Sequence, residues 1–71
     1  MKWKPIEIFV RGDSPLVDVT FKKDDEITYA RFDLGRRNFI DKPPIDLDPE
    51  KFIEVILKAK VNHEDEAVIP L

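Results

Sequence analysis

The sequence predicts an α+β domain: a three- to four-stranded antiparallel meander followed by one amphipathic C-terminal helix at about 49–60. Three observations predict it. Residues Pro5 to Arg11 alternate apolar and polar side chains with the period of a strand. Turn-forming clusters, Gly12-Asp13-Ser14-Pro15 and Lys22-Lys23-Asp24-Asp25-Glu26, break the β-prone runs at close intervals, which favours antiparallel neighbours. Past residue 48 the period changes to that of a helix, with Phe52, Ile53, Ile56 and Leu57 on one stripe.

In the first strand Ile6, Ile8 and Val10 point one way, and Glu7, Phe9 and Arg11 the other. The second runs from Leu16 to Lys22, with Val17, Val19 and Phe21 toward a core. The third, Ile27 to Leu34, changes phase: Ile27 and Tyr29 lie on one face, and Ala30, Phe32 and Leu34 on the other. Either both faces are partly covered or a bulge near Ala30 shifts the register. Gly35 ends that strand or marks a kink. Residues 36–47 carry Pro43-Pro44, which fits neither a helix interior nor a central strand, so an extended loop is expected, with a short edge strand at Asn38 to Ile40 or Ile45 to Leu47. Asp48 suits the N-cap, Pro49 the first helical position, and Glu50 the positive end of the helix dipole. Leu47 and Phe52 sit where a hydrophobic staple closes. Residues 62–66 form a charged break before the apolar run Ala67-Val68-Ile69-Pro70-Leu71. Three roles are open to that run: a further strand, a cover for the core, or a contact with a partner. The single domain 1–71 thus divides into a meander (1–35), a Pro-containing loop (36–47), a helix (48–61) and an acidic, then apolar, tail (62–71).

A chain of 71 residues supplies a core worth no more than about 3–5 kcal/mol, so self-association is a natural supplement. With no cysteine, disulfides and thiolate metal sites are ruled out. No run approaches the roughly 20 apolar residues of a membrane span, and Met1-Lys2-Trp3-Lys4-Pro5 lacks the apolar stretch of a signal peptide. A cytoplasmic protein is expected, with no membrane partner. The formal charge of −3 is uneven: residues 1–45 carry a net +1, and residues 46–71 a net −4. Contact with nucleic acid therefore has to use the N-terminal part.

Catalysis finds little support. One His, one Ser and no Cys leave Ser14 far in sequence from His63, and the many carboxylates show no acid–base pair. No enzyme, cofactor or metal is expected. Asp46-Leu47-Asp48-Pro49-Glu50 begins like a calcium loop, but the sixth position is Lys51 rather than Gly and the twelfth is Leu57 rather than Glu, so helix capping explains it. His63 beside Asp65 reads as a solvated helix end. Arg11-Gly12-Asp13 spells an adhesion tripeptide but sits in a hairpin turn. Trp3 and Phe9 fall off the expected core face.

Lys22, Arg31, Arg36 and Arg37 lie near Tyr29 and Phe32 in sequence. Cations beside exposed aromatics suit single-stranded DNA or RNA, because phosphates attract the cations and bases stack on the rings. The four basic residues are the candidate phosphate contacts, and Tyr29 and Phe32 the candidate stacking platforms. A second reading is a protein–protein adaptor or inhibitor that acts through its acidic and apolar tail, with Val68, Ile69 and Leu71 as candidate partner-binding residues.

The stretch Ile45-Asp46-Leu47-Asp48-Pro49-Glu50-Lys51-Phe52 follows the form Ile-x-Leu-x-Pro-Glu-x-aromatic, and Gly35-Arg36-Arg37 precedes it as a basic step. A meander, this stretch and then one helix resemble the positive cofactor four family of transcriptional coactivators, with Phe52 where the family usually has Trp. The resemblance implies a homodimer with paired helices and a sheet surface that binds single-stranded DNA.

Overall fold

The computed structural model describes residues 2–62 and 65–71. Five strands and one helix follow in the order β1 (Lys4–Val10), β2 (Leu16–Lys23), β3 (Glu26–Asp33), β4 (Asn38–Phe39), α1 (Pro49–Asn62) and β5 (Ala67–Pro70). The strands form one antiparallel sheet in the order β4-β3-β2-β1-β5. The expected α+β meander and C-terminal helix are present. The apolar tail adds a fifth strand by returning to pair with β1, Ile8 opposite Ile69 and Val10 opposite Ala67.

One face of the sheet is covered. Ile8, Val10, Val17, Val19, Phe21, Ala30 and Phe32 are buried there against Phe52, Ile53, Ile56 and Ala59 of α1. The helix starts as its chemistry dictates: Asp48 Oδ1 accepts a hydrogen bond from Glu50 N at 3.1 Å, and Asp48 O one from Lys51 N at 3.2 Å. Capping gives Asp48 its role in this acidic stretch. At the other end Lys60 Nζ donates to Arg11 O at 2.8 Å and to Ser14 O, which ties the last turns of α1 to the β1–β2 connection. The helix runs to Asn62, two residues beyond expectation; His63 and Glu64 lie outside the described residues.

Several expectations need correction. The register irregularity is in β1, between Pro5 and Glu7, and β3 pairs with β2 without interruption from Glu26 to Asp33. The phase change in β3 therefore has another cause. Ile27 and Tyr29 occupy the uncovered face, where burial does not select residue type, and Ala30 and Phe32 fill the core. Leu57 is half exposed rather than part of the core stripe, and Ala59 takes the fourth buried position. Trp3 packs against the core, with Lys23 Nζ 5.9 Å from its ring centroid. As expected, the third strand stops before Gly35: β3 ends at Asp33 and Gly35 lies in the turn that follows, its N–H donating to Asp33 Oδ1 at 2.8 Å, with Arg37 in that turn at φ 59°.

β4 has two residues yet carries much of the packing. The Phe39 ring lies edge-on to Phe32, with centroids 5.0 Å apart, and to Phe52 at 5.6 Å. The edge strand foreseen at Asn38 to Ile40 is thus an aromatic clasp between sheet and helix.

Candidate functional site

The residues foreseen as a nucleic-acid site do not form one cluster. Lys22, Tyr29 and Arg31 share the uncovered face, where Thr20 pairs with Tyr29, Lys22 with Ile27 and Asp18 with Arg31. Tyr29 is 67% exposed. Phe32 is on the opposite face and fully buried, because side chains alternate along β3 and Tyr29 already points outward. It offers no ring to a base. Arg36 and Arg37 lie in the turn after β3 and face carboxylates instead: Arg37 Nη2 donates to Glu50 Oε2 at 3.0 Å, and Arg36 Nε is 3.9 Å from Asp33 Oδ2. Arg31 Nε donates to Asp18 Oδ1 at 3.1 Å. Three of the four basic candidates thus already have an anionic neighbour. Ser14 has a local structural role, its Oγ accepting from Leu16 N at 3.1 Å.

The tail candidates are better placed. Leu71 N donates to Ile6 O at 2.9 Å, which aims the backbone groups of Ala67, Ile69 and Leu71 at β1. By alternation, the N–H and C=O of Val68 and the C=O of Pro70 point away from the sheet. Pro70 has no N–H to offer, so β5 presents a partly blunted edge, the position in a sheet where proline is tolerated. Val68 is 56% exposed on the uncovered face beside Phe9; Ile69 is half-buried on the helix side.

An apolar groove runs between this edge and α1. One hollow of about 140 Å³ is lined by Lys51, Phe52, Val55 and Leu71. The next, of about 210 Å³, is lined by Val55, Lys58, Ala59, Asn62 and Ile69. Val55 belongs to both, and among the described residues neither Lys51 nor Lys58 has a carboxylate within 4 Å. Sequence reading missed Lys51, Val55 and Ala59 as site residues. The available signal was their i, i+4 spacing, which puts them on one flank of the helix beside the apolar stripe. A further hollow at the opposite end of β5, lined by Gly12, Asp13, Asp65 and Glu66, is acidic, and Glu66 there lies 3.8 Å from Arg11. Among the described residues no group of three His, Asp or Glu is placed to hold a metal, and no helix is long and apolar enough to cross a membrane.

No family model matches this chain, and neither the curated proteins nor the solved structures searched contain a match.

Proposed function

We propose that this chain is a non-catalytic protein–protein binding module that takes a short extended segment of its partner along the free edge of β5, over the groove between β5 and α1. The observation that carries the reading is a strand edge with outward backbone groups beside a concave apolar strip. Main-chain bonds to an edge supply affinity, and hollows for alternate side chains supply selectivity. Lys51 and Lys58 on the rim favour a segment with acidic residues near its apolar ones.

The test is selection from a library of displayed ten-residue peptides, followed by amide-shift mapping of the best binder. Perturbations are expected at residues 51–59 and 67–71, with binding lost in Val55→Asp. Binders that perturb only the face around Tyr29, or none from the library, would refute the reading.

One observation favours nucleic acid as a second reading. Tyr29 stands open on the sheet face with Lys22 and Arg31 on the same face. This reading rests on a smaller site than the sequence suggests, since Phe32 and Arg37 are directed elsewhere.

A further inference from the structure

Resting on the β5–groove reading, we infer that the extended segment is the β5 of a second copy of this chain, docked antiparallel with Val68 opposite Val68 of the copy. Three features converge on this occupant.

The first is composition. The groove is apolar with a lysine rim, and its ligand should be apolar with acidic residues at one end. Asp65-Glu66-Ala67-Val68-Ile69 has that order.

The second is hydrogen bonding. About a two-fold axis through Val68, the outward N–H and C=O of each Val68 meet their counterparts and form two bonds. Glu66 N–H of each chain faces the Pro70 C=O of the other and adds two more. Proline also discriminates between registers. Sliding the copy so that Val68 faces Pro70 sets the Val68 C=O against the missing N–H and leaves two bonds of the four. Proline thus disfavours one slide; the opposite slide, with Val68 facing Glu66, keeps four bonds but replaces the Val68–Val68 contact on the outer side with Val68 beside Glu66.

The third is the placement of side chains. In this register Ala67 of each copy lies across from Ile69 of the other on the helix side, and Val68 meets Val68 on the outer side. Asp65 falls beside Leu71 of the other copy, next to Lys51, which lines the same hollow as Leu71. The sheet becomes continuous across the pair, ten strands wide, with both helices on one face and their Val55 flanks turned toward the seam. The contact is small, so association is expected to be weak and concentration-dependent.

The decisive variant is Val68→Pro. The Val68 N–H points away from β1, so proline there removes an intermolecular donor and no bond within the sheet. Sedimentation equilibrium over a rising concentration series is expected to take the wild type from 8.3 kDa toward twice that mass, while Val68→Pro keeps the wild-type circular dichroism and stays at 8.3 kDa. In case that variant fails to fold, the cysteine-free chain permits a second measurement. Val68→Cys should cross-link into a disulfide dimer under mild oxidation, and Tyr29→Cys should not. A wild type that stays monomeric at its solubility limit, a dimer untouched by Val68→Pro, or cross-linking at residue 29 in preference to 68 would each overturn the inference. A monomer that still captures displayed peptides in a Val55-dependent way would leave the groove reading standing and remove only the second copy. Loss of both would remove the two together.

Discussion

Phe39 should be worth far more to this fold than a residue of a two-residue strand normally is. Its ring makes two edge-to-face contacts, with Phe32 at 5.0 Å and 90° and with Phe52 at 5.6 Å and 76°. Such contacts contribute about 0.5–1.5 kcal/mol each beyond area burial. Truncating a fully buried Phe to Ala costs about 3–5 kcal/mol; the half-buried Phe39 belongs at the low end, at about 3 kcal/mol. Phe39→Leu keeps most of the apolar area and loses the ring geometry, about 1–2 kcal/mol. A domain of this size has about 3–5 kcal/mol in total. Phe39→Ala should therefore retain no more than about 2 kcal/mol of stability, and Phe39→Leu should melt about 5–15 °C lower. Urea and thermal melts followed by circular dichroism give both numbers. A double-mutant cycle with Phe52→Leu should return about 0.5–1 kcal/mol of coupling. If Phe39→Ala falls within about 0.5 kcal/mol of wild type, the clasp is incidental and α1 is held by Phe52, Ile53, Ile56 and Ala59 alone.

Other expectations follow from single contacts. Lys60→Met keeps the aliphatic stem but removes the donor to Arg11 O and Ser14 O, and urea melts should show a loss of about 1–2 kcal/mol; an unchanged midpoint would mean that water replaces the ammonium freely. Asp48→Ala removes the cap on Glu50 N and should cost about 1 kcal/mol, with amide exchange rising first at residues 50–52. Asp24 sits in the two-residue turn between β2 and β3 at φ 52°, so Asp24→Gly should stabilise by about 0.5–1 kcal/mol, read as a higher melting temperature. For the nucleic-acid reading, tyrosine fluorescence during a low-salt titration with oligothymidylate reports on Tyr29; a response that survives in Tyr29→Leu would not come from stacking there.

How much of this was legible in the sequence depends on what each residue is asked to do. The core strands were, because Val17, Val19 and Phe21 must alternate to reach one covered face. The helix start was, because Asp48-Pro49-Glu50 has a local chemistry that needs no tertiary information. The register slip at Pro5–Glu7 was not: Ile6, Ile8 and Val10 alternate perfectly on paper, and only the pairing with β2 shows that Pro5 meets Phe21 while Glu7 meets Thr20. Alternation along β3 already sets Phe32 opposite Tyr29, so the two cannot stack bases on one surface; what the local pattern leaves open is that α1 covers the Phe32 face completely. The arginines misled for a related reason. Asp18 and Glu50 are 13 residues from the guanidinium groups they face, and nothing local announces such ion pairs. The groove was invisible for the same cause, since its α1 wall is closed by Ile69 and Leu71 from a tail that folds back across the domain.

That return strand has a kinetic consequence. Glu7 pairs with Pro70, so the outermost ladder joins segments from opposite ends of the chain and cannot zip until everything between them is in place. Closing so long a loop is the entropically dearest step in the topology, and its reward is only a few residues of ladder. The last strand should therefore dock late and peel first, as a unit with its own opening equilibrium below the global one. Native-state hydrogen exchange should show this directly: the amides of Ile69 and Leu71 share an early isotherm with those of Ile8 and Val10, while Val19 and Ala30 wait for complete unfolding.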